Sequence, residues 1–394
     1  MNCTETVHII TGEYPPARGG VADYTQRVGQ ALAASGATVH IWTRSTDEVE
    51  DDPSTDRLLV HRILNGWSRS DLALLARRLD QFEGPRRRLL VQHTPNAWGY
   101  RGLNLGFARW LLDRQRRGDE VEVMFHEVWY PLRLRDKPTR WGLALGHRWL
   151  TRILMKACTS AFVSIPAWEP LLRASERGPR KPVTWLPVPS NIEVVEDEQA
   201  TSALRARIAP RGQAVIGSFG TFGGMIASML SAVLPRLLES RDDRVVLLFG
   251  RGSEAYAESL ATSHPALASR IISAGSLSPA EVSTYLQVCD ALIQPYPDGL
   301  SSRRTTLMAG LAHGVPTISN LGALSEPVWL GSKALALAPV PDSSALIDAA
   351  EQVLALSPQG RKVLGEAGRE LYQRAFSVRR IVDLLQTTRH ELAV

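Results

Sequence analysis

Residues 7–43 read VHIIT-GEYPPARGG-VADYTQRVGQALAA-SGA-TVHIWT, the order expected of a strand, a loop, a helix and a second strand. Short apolar runs bounded by turn residues predict strands over Val7–Thr11 and Thr38–Thr43. Between them, apolar side chains recur at helical spacing over Val21–Ala34. A strand, a crossover helix and a second strand form the unit from which parallel sheets are built, so this stretch predicts an α/β fold.

The same alternation continues through the chain in two halves. In the first half we predict strands at Leu58–Ile63, Arg88–His93, Glu122–His126 and, as the closing strand, Ala161–Ile165, with helices at Asp71–Phe82 and Arg140–Lys156. In the second half we predict strands at Val215–Gly220, Arg244–Phe249, Arg270–Ala274, Ala291–Gln294, Pro316–Ser319 and Ala334–Ala338, with helices at Met225–Glu239, Glu254–Ser263, Pro279–Val288, Arg303–His313 and Ser343–Leu356. The pattern predicts two doubly wound parallel sheets.

A change of composition separates the two halves. After Pro187 the chain reads Val-Pro-Ser-Asn and then becomes acidic, so we interpret residues 189–213 as a linker with room for one short helix. Ligands of doubly wound sheets bind beyond the carboxyl ends of the strands. We therefore expect the two domains to face each other across a cleft that holds the site.

The composition is that of an ordinary globular protein. A length of 394 residues suits two domains, with 44% apolar and 22% charged residues. The three cysteines, Cys3, Cys158 and Cys289, are far apart and form no CxxC pair, which favours a reducing compartment. We see neither a signal peptide nor a run of the ~20 apolar residues that a membrane-spanning helix needs, and we expect a cytoplasmic protein.

The chain is basic, with a net charge of +5 and a pI of about 9.3. Cationic side chains interleave with tryptophans over residues 101–152, at Arg109, Arg133, Arg135, Lys137, Arg140, Arg148 and Arg152, and at Trp110, Trp129, Trp141 and Trp149. Solvated helix faces over buried tryptophans are the first interpretation. Peripheral contact with the inner face of a membrane is the second, because Trp and Arg suit the headgroup layer. No nucleic-acid-binding motif is present, and we expect no nucleic-acid partner.

The first of three candidate loops follows the first predicted strand and reads Pro-Pro-Ala-Arg-Gly-Gly, ending at Gly19 and Gly20. Glycines allow a ligand to approach the backbone, and the start of the next helix offers unpaired N–H groups. The spacing is not that of the dinucleotide fingerprint G-x-G-x-x-G. A plain turn and an anion-binding loop both remain open here.

The second candidate loop runs from Asp298 to Thr306 and leads into the helix predicted over Arg303–His313. Ser301 or Ser302 would cap that helix. The helix N–H groups would then face a ligand.

Two arginines, Arg303 and Arg304, fall in the predicted first turn of this helix. Cations there are unfavourable for the helix itself, whereas a bound diphosphate would match the guanidinium groups. The alternative is that one arginine pairs with Asp298 or Glu326. The residues assigned to donor binding in this loop are Asp298, Ser301, Ser302, Arg303, Arg304 and Thr305.

The third candidate site is His126 with Glu127, at the end of a predicted strand. A histidine there is a hydrogen-bond donor or a base, or it is structural, and His93 at another strand end is the alternative. Neither acidic pair, Asp51-Asp52 or Asp242-Asp243, has the flanking apolar strand that is expected where a metal ion bridges the protein and a phosphate. We predict no essential metal.

With these loops identified, several motifs resemble the large retaining GT-B group called glycosyltransferase family 4. They are Glu13-Tyr14-Pro15-Pro16 with Gly19-Gly20, Tyr24, Ala31-Leu32, Gly36, Val39, His126-Glu127, Leu311-Ala312-His313-Gly314-Val315-Pro316, Glu326 and Phe376-Ser377. The resemblance covers most of the chain. It implies the GT-B fold, with two Rossmann-like domains: an acceptor domain at 1–188, a donor domain at 214–375, and a closing helix at 376–394 that packs back on the first domain.

The chain departs from this family at two places. The family has a pair of glutamates around its diphosphate helix, and alignment on Gly314 and Pro316 puts Ser301 and Ala309 there. It also has an Arg and a Lys after the first strand of the second domain, where residues 220–225 here contain no basic side chain.

We expect the positive charge that residues 220–225 lack to be supplied by arginines elsewhere in the second half of the chain. Arg303 and Arg304 are the first candidates, and Arg251 between two glycines is a further one. The other assigned donor contacts are Thr221, Glu326, Gly19 and Gly20, with His126 and Glu127 as the catalytic pair.

The resemblance implies transfer of a sugar, with retention, from a nucleotide sugar such as a UDP- or GDP-sugar, without a cofactor. The acceptor stays open among a glycan, a lipid-linked molecule and a small molecule. A non-catalytic relative that partners an active transferase is the alternative, and a sugar-nucleotide epimerase is a third reading.

Overall fold

The computed structural model describes residues 5–17, 19–46, 55–82, 86–129 and 138–393. Arg18, Cys3, Asp51-Asp52, Arg133, Arg135 and Lys137 lie outside these described residues. The chain divides into two compact units. Unit 1 comprises residues 1–187 with 381–394, and unit 2 comprises residues 188–380.

Unit 1 is built on a parallel sheet whose strand order is β3-β2-β1-β4-β5-β6-β7 over the described residues. The strands are β1 Thr6–Thr11, β2 Thr38–Arg44, β3 Leu58–Leu64, β4 Arg88–His93, β5 Glu120–Phe125, β6 Ser160–Val163 and β7 Val183–Trp185. The prediction that Ala161–Ile165 closes this half is wrong, because β7 adds a further strand beside β6. Its three residues are too few to show a hydrophobic period.

The helices of this unit include two that the sequence pattern did not predict. In chain order they are α1 Gly20–Ala34, α2 Arg69–Leu79, α3 Leu105–Arg116, α4 Pro138–Ala157 and α5 Glu169–Ser175. Helix α3 buries Arg114, which bonds Asp119 and Asp80 at 2.5 and 2.6 Å. A buried arginine interrupts the apolar stripe from which a helix is recognised.

Unit 2 contains a second parallel sheet, with the order β10-β9-β8-β11-β12-β13 over the described residues. The strands are β8 Ala214–Phe219, β9 Arg244–Phe249, β10 Ile271–Ser273, β11 Ala291–Ile293, β12 Thr317–Asn320 and β13 Ala336–Ala338. The helices are α6 Glu198–Ile208, α7 Gly224–Glu239, α8 Ser253–Ser263, α9 Pro279–Gln287, α10 Thr305–Ala312, α11 Ser343–Leu354 and α12 Pro358–Ala375. The prediction of two doubly wound parallel sheets is confirmed.

Each sheet has a point where the strand order reverses, between β1 and β4 in unit 1 and between β8 and β11 in unit 2. In open α/β sheets, ligands bind beyond the carboxyl ends of the strands at such a point. The loop that ends at Gly19-Gly20 follows β1, and the loops at residues 220–223 and 294–304 follow β8 and β11. The candidate loops therefore begin at these two reversal points.

The last helix, α13 Val378–Ala393, contributes residues 381–393 to unit 1. Its Leu385 carbonyl accepts a 3.0 Å hydrogen bond from buried Arg88 at the start of β4. The same guanidinium bonds Glu122 on β5 at 2.8 Å and Glu5 at 2.8 Å. Burial raises the pKa of the Glu122 carboxyl, and the positive charge of Arg88 opposes that shift. One buried cation thus ties α13 to two strands.

We predict that Arg88→Met lowers the free energy of unfolding of unit 1 by about 3–5 kcal/mol, because it leaves the Glu122 carboxylate buried without its counter-charge. The double variant Arg88→Met/Glu122→Met is expected to recover most of this loss. Urea unfolding followed by tryptophan fluorescence measures the effect in unit 1, since every tryptophan except Trp329 lies there. An equal loss in the single and double variants would contradict the account.

Candidate functional site

The loop between β11 and α10 is held against the loop after β12 by close backbone contact. Gly299 adopts a φ of +86°, and a Cβ on it would lie 2.3 Å from the Gly322 nitrogen. The Leu300 N–H donates to the Asn320 carbonyl at 2.9 Å, and the Ser325 hydroxyl donates to the Leu300 carbonyl at 2.9 Å. Only glycines permit this approach, so the path of the loop is fixed before its side chains reach a ligand.

Glu326 supports the same loop from inside unit 2. Its carboxylate is 2% exposed. It accepts from the Ser302 N–H at 2.7 Å, the Ser302 hydroxyl at 2.6 Å and the Trp329 indole N–H at 2.5 Å. Burial raises the pKa of this carboxyl, and these hydrogen bonds oppose the shift. Glu326 and Ser302 are therefore hydrogen-bonded to each other. Their contact with a sugar donor stays a prediction.

The start of α10 differs from the sequence prediction. Among the described residues, neither Ser301 nor Ser302 caps the helix, whose N-cap is Arg304 without a side-chain cap. The reason is a turn in which the Arg304 N–H donates to the Ser301 carbonyl at 3.0 Å, so that the helix begins at Thr305. The two arginines accordingly lie before the first turn, where the end of the helix is open.

Beside this open helix end, Ser301 Oγ and Arg304 Nε lack hydrogen-bond partners in the described part of the chain, and the Ser301 side chain is fully buried. The Arg304 guanidinium lies over the Tyr296 ring at 4.8 Å, and the Tyr296 hydroxyl is 2.9 Å from Thr306 Oγ1. Buried polar atoms without partners are rare, and a helix N-terminus attracts anions. The arrangement is therefore suited to an anionic ligand.

The loop after β8 begins at the same reversal point. A Cβ on Gly250 would lie 2.2 Å from the Gly220 carbonyl oxygen, so this loop packs directly on the turn that carries Arg251. The Gln294 amide, at the end of β11, donates to the Phe219 carbonyl at 3.0 Å and joins the two strand ends. Thr221 and Arg251 are exposed on this surface, as a role in ligand contact requires.

In unit 1, Gly19 is extended and is the N-cap of α1, which has no side-chain cap among the described residues. A Cβ on Gly19 would lie 2.6 Å from Glu13 Oε2, whereas Gly20 has open space around it. The N–H groups of this helix start are thus not covered by a capping side chain among the described residues, and anion binding by this loop stays a prediction.

His126 is buried just beyond β5 and is held in one orientation. Its Nε2 is 2.8 Å from Gln92 Oε1, and the Tyr24 ring contacts the imidazole edge-to-face at 4.7 Å. Burial lowers the pKa of His126 to about 3, so the ring is neutral at physiological pH. Its predicted role therefore narrows to a neutral hydrogen-bonding group, while Glu127 beside it is exposed.

The alternative histidine, His93, is part of the core. Its Nδ1 accepts from the Trp98 indole at 3.0 Å, and burial lowers its pKa to about 3. Gln92 and Tyr24, which orient His126, were not predicted as site residues. A glutamine inside the wholly buried strand β4 was the available signal, because a buried polar side chain needs a partner.

No three His, Cys, Asp or Glu residues converge as metal ligands in the part of the chain that the structure describes. Asp243 instead pairs with Arg241 at 2.8 Å on the surface. Over the same described residues, none of the helices has the length and apolarity needed to cross a membrane.

Residues 214–355, within unit 2, match the family described as Glycosyl transferases group 1. No curated protein sequence matches the chain. Solved structures that share its fold include the following three. A glycosyltransferase from Rickettsia africae has a TM-score of 0.74 at 14% identity and covers 99% of both chains. Sucrose-phosphate synthase from Thermosynechococcus elongatus has a TM-score of 0.72 at 17% identity, over 98% of this chain and 99% of that one. HepE from Anabaena, in complex with UDP and glucose, has a TM-score of 0.69 at 12% identity, over 98% of this chain and 100% of that one.

We predict that Glu326→Ala destabilises unit 2 by about 1–3 kcal/mol, because the donors of Ser302 and Trp329 lose their buried acceptor. Glu326→Gln keeps one acceptor oxygen and is expected to lose less. Glu258→Ala, which removes an exposed glutamate of α8, is the matched control and should change stability by less than about 0.5 kcal/mol. Chemical denaturation followed by far-UV circular dichroism measures all three, and equal stability of Glu326→Ala and the control would refute the supporting role.

Proposed function

We propose that this chain, which has the GT-B fold and matches Glycosyl transferases group 1 over residues 214–355, transfers a sugar from a nucleoside-diphosphate sugar, with the diphosphate bound at the start of α10. A UDP- or GDP-sugar is the expected donor. Two similar structures support this class, since one is a complex with UDP and glucose and another, described as trehalose-6-phosphate from E. coli, is bound with UDP-2-fluoro glucose.

The observation that carries the proposal is the buried Ser301 hydroxyl without a partner beside the open end of α10. The position resembles one where the related family has a glutamate that contacts the donor sugar. With serine in place of glutamate, the loop has one negative charge fewer and keeps a neutral hydrogen-bond donor. Both differences favour the binding of an anion.

Arg303 and Arg304 supply the cationic part of the site in this proposal. The Arg304 guanidinium rests on the face of Tyr296, and burial raises the pKa of Tyr296 to about 12, so this support stays neutral. As the bond from the anomeric carbon to the diphosphate breaks, negative charge grows on the departing oxygens. Guanidinium groups and helix N–H groups fixed in advance would stabilise that charge.

His126 and Glu127 are proposed as the contacts to the reacting sugar, with retention at the anomeric carbon. An imidazole held by Gln92 and Tyr24 can hydrogen-bond a sugar hydroxyl. It does so in its neutral form, because its lowered pKa prevents protonation at physiological pH. The acceptor class remains open among glycans, lipid-linked molecules and small molecules. A reducing, cytoplasmic setting fits the buried, unpaired thiols of Cys158 and Cys289.

A second function has one observation in its favour. Ser301 and Ala309 stand where the related family has its paired glutamates, so the chain would also suit a non-catalytic partner of an active transferase. Such a protein would bind the donor without turning it over. Binding and turnover are therefore tested separately.

We predict that one nucleoside diphosphate, from a panel of UDP, GDP, ADP and dTDP, raises the melting temperature of the protein. A ligand at a hundred times its Kd stabilises the folded state by about 2.7 kcal/mol. The Arg303→Ala/Arg304→Ala variant is expected to weaken binding by at least about tenfold, because each charge-assisted hydrogen bond contributes about 1.5–3 kcal/mol.

Arg236→Ala is the matched control, since it removes an exposed arginine from the far end of α7 in the same unit. It should bind the nucleotide as the native protein does. If no nucleoside diphosphate binds, or if the double arginine variant binds as well as the control, the donor site is misplaced.

For turnover we predict slow release of the nucleoside diphosphate from the matching sugar donor, with the sugar freed in its original anomeric configuration. Proton NMR at early times distinguishes the anomers before they interconvert. His126→Ala should lower the rate while leaving nucleoside-diphosphate binding within about twofold of the native value, which is less than the loss of one hydrogen bond of about 0.5 kcal/mol would cause. Binding without any turnover would favour the non-catalytic partner, and inversion would exclude the retaining mechanism.

A further inference from the structure

Helix α4 presents large apolar side chains to solvent along one line. Trp141, Leu145 and Trp149 are spaced four residues apart and are 42%, 58% and 45% exposed. Residues four apart lie above one another on a helix, so the three form a continuous stripe about 12 Å long. The line continues with Arg152 and then Lys156, both exposed.

This stripe is not the core-facing side of the helix. The opposite face carries Leu150 and Leu154, which are buried in the core of unit 1. Tryptophans elsewhere in the unit behave differently, since Trp67 and Trp98 are buried and their rings meet at 4.7 Å. Because the inner face of α4 already packs on the core, the folding of unit 1 does not require apolar residues on the outer face. An exposed apolar patch of this kind marks an interaction surface.

The charge of the helix restricts the kind of partner. Over residues 138–157 the chain has four cationic side chains, Arg140, Arg148, Arg152 and Lys156, and neither Asp nor Glu. Arg148 lies over the ring of Trp129 at 5.4 Å, which adds an aromatic side chain beside the stripe. A second copy of the chain would bring an equally cationic helix to this face, so self-association is disfavoured by repulsion.

We propose that the outer face of α4 binds an anionic lipid surface. Trp141, Leu145 and Trp149 would enter the boundary between headgroups and acyl chains, where tryptophan is favoured. Arg152 and Lys156 would then meet lipid phosphates at the surface. This inference goes beyond the transferase activity and does not depend on the donor site.

The test is co-sedimentation of the purified chain with vesicles of phosphatidylcholine alone and of phosphatidylcholine mixed with phosphatidylglycerol. We expect binding to the mixed vesicles that weakens as salt is added, and little binding to phosphatidylcholine alone. Trp141→Gln/Leu145→Gln/Trp149→Gln should lower the affinity by about tenfold or more, because binding scales with buried apolar area. Arg152→Gln/Lys156→Gln should lower it by about fivefold for each charge removed.

The matched control is Val340→Gln/Leu356→Gln/Val363→Gln, which removes three exposed apolar side chains of unit 2 and should bind as the native chain does. Circular dichroism and the melting temperature check that each variant is folded. The proposal is overturned if the native chain does not bind the mixed vesicles, or if the stripe variant binds them as well as the control. It is also overturned if the stripe mediates self-association in sedimentation velocity and no vesicle binding is seen.

Discussion

The candidate site of unit 2 depends on the backbone contact between Gly299 and Gly322. A Cβ on either residue would collide with the other loop, so only glycine permits the two loops to share hydrogen bonds at this distance. Glu326 then fastens the same loop through Ser302 and Trp329. These contacts fix Ser301 and the arginines before any ligand arrives, which is the preorganisation that charge stabilisation requires.

The electrostatics of the two units follow one rule, that a buried charge is retained only where it has partners. Arg88 is buried with two carboxylates and a helix carbonyl, and Glu326 is buried with three donors. His126, whose Nε2 contacts the neutral Gln92 amide, is kept uncharged by burial. Ser301 Oγ is one of several buried polar side-chain atoms that lack a hydrogen-bond partner among the described residues. Its position beside the open start of α10 is the reason for placing the diphosphate there.

The sequence predicted the long, strongly periodic elements and missed those whose pattern is short or interrupted. The strands that carry the candidate loops were predicted to within one or two residues, while β7 was too short and α3 was hidden by the buried Arg114. The second loop was located correctly, but its capping was not. Whether Ser301 or Arg304 ends a turn depends on the backbone path that Gly299 and Glu326 impose from a distant segment. Gln92 and Tyr24 were missed as site residues because each acts through His126, which is remote from both in sequence.

The most direct measurement is a crystal structure of the chain with the nucleoside diphosphate that stabilises it. The account predicts phosphate oxygens about 3 Å from Ser301 Oγ and from the Arg304 guanidinium, with the first N–H groups of α10 directed at them. A diphosphate bound elsewhere, with the Ser301 hydroxyl still unpartnered, would contradict the central claim.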